Sequence, residues 1–287
     1  MKYRFIDLFA GAGGLSEGFI RAGYEPIAHI EMDHYACDSL KTRAAFHYLK
    51  ENGKLEIYEE YLKNKKEKTD GSWLWNQVPK SVIDSVIQEA IGKETLPSLF
   101  ERVDKLCNGK PVDMIIGGPP CQAYSVAGRA RLGKKIEEDP RNDLYKFYVE
   151  FLKRYKPKMF VFENVLGIFT AKGGEPFRDL IRLVRELDYN IDFREQIASQ
   201  HGVLQKRHRV IIVGWQNKRD TQEDTSYHYP YLLEEQMPYK MMRDLFCDLP
   251  IVKAGEGTLC GIVHYTKPLS DMEYLSLIHI SEPTRPR

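Results

Sequence analysis

Of the five cysteines in this 287-residue chain, one stands where core packing does not account for it. Cys121 follows Gly117-Gly118-Pro119-Pro120 and precedes Gln122, directly after the apolar run Val112–Ile116. A small buried apolar residue is the bland reading. The sharper one is a nucleophile held rigid by two prolines. Thiols attack as thiolates, so a nearby positive charge would help. Gln205-x-Arg207-x-Arg209 could supply it, because residues two apart on a strand share a face; alone, these arginines are a pair of solvated charges. Glu163, in Glu163-Asn164-Val165, is either a surface residue at a strand end or a general acid. Phe9-x-Gly11-x-Gly13-Gly14 lets a backbone approach a ligand at a helix N-terminus, or is merely a tight turn. Glu31, ending the next apolar run, is placed to accept hydrogen bonds from a ribose diol. Ser16 stands where the dinucleotide-binding glycine pattern has its third glycine, which argues against a nicotinamide enzyme.

These groups need a scaffold that gathers them. Tyr3–Ala10 reads as a buried strand, Leu15–Ala22 as a helix stopped by Gly23, and Pro26–Glu31 as a second strand. Residues 47–110 read as an insertion packed on the side of the sheet, with a short helix over Ser81–Ile91. Val112–Ile116 and Met159–Phe162 are strands, separated by a loop from Gln122 to about Pro140 and a helix carrying Leu144, Phe147, Tyr148, Phe151, Leu152 and Tyr155. A further helix starts at Pro176, and strands follow near 190–198 and 209–215. The alternation predicts an α/β doubly wound, mostly parallel sheet, which binds ligands at the carboxyl ends of its strands. Gly11–Gly14, Glu31, Cys121 and Glu163 all follow strands directly.

Composition narrows the class. The chain is 43% hydrophobic and 29% charged, as in globular proteins. No apolar run approaches the roughly 20 residues that span a bilayer. Met1-Lys2-Tyr3-Arg4 leads into a strand with no signal-peptide apolar region, so a cytoplasmic location is expected. The net charge of +1 leaves any nucleic-acid surface to local clusters, Arg129, Arg131, Lys134 and Lys135 or Lys206–Arg209, which singly are more often solvated faces. The cysteine count is odd and no C-x-x-C pair occurs, so neither a disulfide framework nor a zinc site is expected.

In order, Phe9-x-Gly11-x-Gly13-Gly14, Glu31, Gly118-Pro-Pro-Cys-Gln122, Glu163-Asn-Val165 and Gln205-x-Arg207-x-Arg209 resemble the cytosine-C5 DNA methyltransferase family of bacterial restriction–modification systems. The resemblance runs from residue 3 to about 216. It implies a Rossmann-like S-adenosylmethionine-dependent methyltransferase fold. Phe9, Gly11, Gly13 and Gly14 would line the S-adenosyl-L-methionine pocket, Glu31 would hold the ribose hydroxyls and Met32 would pack on the adenine. Asp104 would contact the adenine amino group, and Pro120, Asn142 and Leu144 would complete the pocket. Cys121 would attack the base, Glu163 would contact it, and Arg207 and Arg209 would hold it. Gln122, Ser125, Arg129 and Arg131 would meet double-stranded DNA, with the base flipped out. The implied enzyme is a monomer without a metal, its restriction endonuclease acting separately.

Residues 1–216 form the expected catalytic domain and 217–274 the start of a target-recognition region. Residues 275–287 resemble a translated sequencing adapter. The family's later motifs are not found, so the chain as given is expected to be weakly active or inactive. Two alternatives stand beside this reading. A tRNA cytosine-C5 methyltransferase is disfavoured by Gln122; comparing duplex DNA with tRNA as acceptor decides. A non-catalytic half of a split methyltransferase is separated by testing whether a chain with the missing motifs rescues activity.

Overall fold

The computed structural model describes residues 2–63, 71–120, 143–203 and 205–216. They fall in two compact units, one of residues 2–196 with 208–216, the other of residues 197–207.

The first unit is built on a seven-stranded sheet. Its strands are β1 (Arg4–Leu8), β2 (Glu25–Glu31), β3 (Val86–Gln88), β4 (Met114–Gly117), β5 (Met159–Asn164), β6 (Tyr189–Ile197) and β7 (His208–Gln216), in the order β3-β2-β1-β4-β5-β7-β6. The pairs β3–β2, β2–β1, β1–β4 and β4–β5 are parallel, and β5–β7 is antiparallel. The doubly wound, mostly parallel α/β expectation therefore holds. Strand order reverses between β1 and β4, the switch point at which such sheets open a crevice.

Alternation in the strands fixes what each face packs against. Ile6 and Leu8 join Ile30, Ile115, Phe160 and Phe162 in the main core, with Leu99 and Val103 of α6 (Leu96–Cys107), Tyr148 and Phe151 of α7 (Leu144–Tyr155), and Leu180 and Val184 of α8 (Glu175–Glu186). Phe5, Met114 and Ile116 face the other way, onto Leu15, Phe19 and Ile20 of α1 (Gly14–Arg21). Tyr148 is fully buried, and its hydroxyl lies 3.0 Å from the Ile115 carbonyl and 3.1 Å from that of Val161, so its polar end is satisfied between β4 and β5. Pro176 occupies the first turn of α8, where its missing N–H costs nothing.

The stretch read as an insertion resolves into two kinds of structure. After α2 (His34–Glu51) come α3 (Leu55–Lys63), α4 (Ser72–Trp75) and α5 (Lys80–Asp84), which build a satellite core of Ala45, Phe46, Leu49, Tyr58, Tyr61, Leu74 and Val78. Beyond them the chain rejoins the sheet. Ser81–Ile91 is not one helix: α5 ends at Asp84 and Val86–Gln88 become edge strand β3, paired with His29–Glu31. Helix α6 is likewise a regular crossover of the sheet, so residues 86–110 are scaffold and not insertion. No described helix is long and apolar enough to cross a membrane.

Candidate active site

Parallel pairing brings the ends of β1, β2, β4 and β5 to one edge, and the sequence places its polar groups there. At the end of β1 the backbone coils through three positive φ angles, Phe9 at 56°, Gly11 at 55° and Gly13 at 85°. Glycine takes this conformation freely, whereas at Phe9 it costs about 1–2 kcal/mol. A Cβ on Gly13 would lie 2.9 Å from Leu40, so its lack of a side chain also lets α1 settle against α2. Among the described residues nothing lies within 4 Å of such an atom on Gly11 or Gly14. Their open side leaves room for a ligand at the N-terminus of α1.

Glu31 borders that space. Its Oε2 accepts from the Gly11 N–H at 2.8 Å, and its Oε1 accepts from the N–H groups of Met32 and Asp33 at 2.8 and 2.9 Å. Three of roughly four acceptor directions are thus used by backbone, and about one remains for a ligand hydroxyl. Met32, at the carboxyl end of the same strand, is 67% exposed, an apolar surface without protein cover. The coiled glycine turn, the carboxylate and the exposed thioether together suit a nucleoside with a ribose diol, so the residues present fit S-adenosylmethionine.

Asp104 does not belong to this edge. It sits in the last turn of α6, which returns the chain to the start of β4, and it is bound to Arg154 and to the Tyr155 hydroxyl. The residue of β3 in register with Glu31 is Gln88, and the Glu89 N–H donates to the Glu31 carbonyl at 2.9 Å. Sequence reading missed both, because the stretch that carries them, Ser81–Ile91, was read as helix.

At the other half of the edge the site is made of side chains. Arg209, the second residue of β7, donates from Nε to Glu163 Oε1 at 2.6 Å and from Nη1 to the His208 carbonyl at 2.8 Å. The glycines before the prolines make room. A Cβ on Gly117 would meet the Leu8 carbonyl oxygen at 2.3 Å, and one on Gly118 would meet Glu163 Oε2 at 2.7 Å. Asn164 is buried; its Oδ1 accepts from the Val165 N–H at 2.8 Å, and its amide nitrogen lies 3.5 Å from the Pro119 carbonyl. The segment leading to Pro120 is therefore seated on the end of β5. Gly117, Gly118 and Asn164 stand in the motifs the sequence displays, but no role was expected of them; the structure gives them the work of seating this segment on the end of β5.

Arg207 falls in the second unit, where its carbonyl accepts from the Ala198 N–H at 2.9 Å. Leu144 opens α7, the helix that descends from this same edge of the sheet. Cys121, Gln122, Ser125, Arg129, Arg131 and Asn142 lie outside the described residues, as do residues 217–287. Of the described cysteines, Cys37 is buried and its thiol is pushed up to about 11 by that burial, and Cys107 is raised for the same reason. Neither is poised to attack.

The type II methyltransferase M.Bpa9945I of Bacillus paralicheniformis is 33% identical, over 88% of this chain and 62% of its own. Type II methyltransferase M1.HphI of Haemophilus parahaemolyticus is 28% identical, over 96% of this chain and 61% of its own. The chain thus spans about six-tenths of the length of these relatives. The solved structure of the Entamoeba histolytica methyltransferase EhMeth superposes with a TM-score of 0.51 at 16% identity, covering 88% of this chain and 62% of that one, a likeness of fold. A profile of the C-5 cytosine-specific DNA methylases matches residues 3–72 and 90–256, leaving out α5, β3 and all but the first residue of α4, and the chain belongs to that family.

Proposed function

We propose that the protein methylates C5 of cytosine in duplex DNA, with Cys121 as nucleophile. The observation that carries this reading is the Glu163–Arg209 pair, set against Gly118 just before the Pro-Pro-Cys segment. C5 of cytosine is a poor nucleophile. Addition of the Cys121 sulfur to C6 breaks the ring's aromaticity and makes C5 enamine-like, turning one hard step into two easier ones. Glu163, aimed by Arg209, shares a proton with N3 and so neutralises the negative charge that sulfur addition leaves on the ring. Arg207 is assigned to hold the base at O2. S-adenosylmethionine, when bound, supplies the methyl group that C5 takes. Loss of the C5 proton and departure of the Cys121 sulfur then restore the aromatic ring.

The thiolate must approach the face of the base, so the base leaves the stack at a cost of a few kcal/mol. Gln122, Ser125, Arg129 and Arg131 are assigned to the DNA, the arginines to phosphates that position without reading sequence. Phe9, Gly11, Gly13, Gly14, Glu31, Met32, Pro120, Asn142 and Leu144 are assigned to the cofactor, with Gln88 and Glu89 taking the place of Asp104. The type II methyltransferase names of the relatives support a restriction–modification setting; a separate endonuclease, a monomeric state and a cytoplasmic location are part of the proposal.

The test is duplex DNA containing 5-fluorocytosine, incubated with S-adenosylmethionine. Fluorine at C5 blocks the last proton loss, so the enzyme stays bonded to the base. Two proteins are compared, the 287-residue chain and the same chain followed by the C-terminal region of the Bacillus paralicheniformis relative. The expected result is a denaturation-resistant adduct that is absent in Cys121→Ser and weak or missing without the added region. No adduct with either protein, across varied cytosine contexts, sinks the reading.

A further inference from the structure

Beneath the glycine turn lies a buried polar group that the proposed chemistry does not use. Asp7 occupies the middle of β1, is 1% exposed, and points to the face carried by Phe5 and covered by α1. Its neighbour in register on β2 is His29, equally buried, with Nδ1 3.5 Å from Asp7 Oδ2. Ser16, buried on α1, stands beside the same carboxyl. The Ser16 hydroxyl also donates to the Gly13 carbonyl at 3.2 Å, the oxygen that accepts the first helical N–H of α1, from Glu17 at 3.0 Å. Among the described residues neither oxygen of Asp7, nor His29 Nδ1, closes a hydrogen bond of full geometry, so the contacts to His29 and Ser16 are near approaches only. A buried carboxyl with so little compensation is costly, and one in the middle of a central strand calls for an explanation.

We propose that Asp7, His29 and Ser16 are positioning residues for the cofactor, a buried relay running from β2 through β1 to the Gly13 carbonyl that holds the glycine turn in its coiled shape. The inference rests on the cofactor assignment above. Burial raises the Asp7 carboxyl above its ordinary range, against the hydrogen bonding and charge of His29 and the hydroxyl of Ser16, and the charge of Glu31 adds to the rise. A protonated Asp7 closes the relay with every hydrogen accounted for. His29 donates from Nδ1 to Asp7, Asp7 donates its O–H to the Ser16 oxygen, and Ser16 donates its own hydrogen to Gly13. An ionised Asp7 instead draws the Ser16 hydrogen to itself and releases the Gly13 carbonyl. The turn is then shaped best while Asp7 keeps its proton, and it loosens as pH rises through the raised value. The ionisable groups that act on Asp7 are His29 and Glu31 from β2; from α7, Tyr148 is itself pushed well up by burial and by Asp7.

Three variants separate this from a merely structural role. Asp7→Asn keeps an acceptor for His29 and a donor for Ser16 without an ionisable proton. Ser16→Ala removes the last link, and Asp7→Ala removes the middle. Two readouts are taken on the folded chain: amide hydrogen exchange at Gly13 and Gly14 without cofactor, and calorimetric titration with S-adenosylhomocysteine across pH. Ser16→Ala and Asp7→Ala are expected to speed exchange at the turn and weaken binding about five- to tenfold, the worth of one hydrogen bond. Asp7→Asn is expected to bind like the parent and to lose its decline with rising pH. An Asp7→Asn protein as impaired as Asp7→Ala overturns the relay, as does unchanged exchange in Ser16→Ala. A parent chain whose turn responds to the variants but which binds no S-adenosylhomocysteine leaves the relay standing and overturns the cofactor reading instead.

Discussion

The two halves of the site are held by different means. At the half assigned above to the cofactor, Glu31 is fixed by three backbone N–H groups, the furthest only 20 residues away in the chain. At the half assigned to the base, Glu163 is aimed by a side chain 46 residues away, and Asn164 reaches the Pro119 carbonyl from 45 residues away. Backbone donors cannot turn aside once strand and turn have formed, so the first half is shaped by local folding. The second half exists only when β4, β5 and β7 are side by side. A ligand pocket made of backbone tolerates changes around it, whereas a carboxylate held by an arginine answers to every atom that touches it.

The largest way to break this contrast is to remove the one side chain on which the backbone half depends. Glu31→Ala leaves three N–H groups without their charged acceptor, each such bond being worth about 1.5–3 kcal/mol. Affinity for S-adenosylhomocysteine should fall by roughly two to three orders of magnitude in calorimetry. A change under about threefold would mean that the turn is held by something other than Glu31.

Next comes the steric floor of the base half. Gly118→Ala would place a methyl group 2.7 Å from Glu163 Oε2 and 3.0 Å from its carbonyl. Misplacement on the 1 Å scale costs about a hundredfold. The rate of adduct formation on 5-fluorocytosine DNA should drop by about that factor while cofactor affinity stays put. Parallel losses in both would show that the halves are not independent.

Arg209→Lys tests the side-chain aim itself. The guanidinium uses two nitrogens at fixed angles, on Glu163 and on the His208 carbonyl, and an ammonium cannot match both. About a tenfold slower adduct rate is expected. A full-rate Arg209→Lys enzyme would mean that charge alone suffices.

The smallest effect belongs to the opposite edge of the sheet and serves as the control. Burial alone would raise Asp113, but hydrogen bonds from Lys158 Nζ and the Arg4 N–H, with their charges, outweigh it and hold the carboxyl below its ordinary range. A depressed carboxyl stabilises the fold above its unfolded value and loses that contribution as pH falls through the folded one. Urea midpoints should therefore decline into the acid range, and Asp113→Asn should flatten part of that decline with neither cofactor affinity nor adduct rate altered.

Much of this is legible in the sequence alone. Gly11, Gly13 and Glu31 lie within one strand–turn–helix–strand unit, and their roles follow from φ freedom and strand ends, which are local properties. Pro176 likewise announced the start of α8. Glu163 was legible as a strand-end carboxylate, but its pairing with Arg209 needed the β5–β7 register. The helix expected over Ser81–Ile91 shows where local reading stops. Val82, Ile83, Val86 and Ile87 suit either periodicity, and it is the free edge of β2 that draws Val86–Gln88 into the sheet. Asp104, expected from the resemblance at the adenine, instead lies in the last turn of α6 and is bound to Arg154 and Tyr155.

The sequence by itself determined which residue types stood at strand ends, and so the class of chemistry and the family. Only the tertiary structure decided which of them meet. It set Gln88 beside Glu31, Gly118 under Glu163, Arg209 on Glu163 and Asp7 against His29, because each of these contacts joins strands whose pairing is settled by the burial of a shared core and not by any neighbour in the chain.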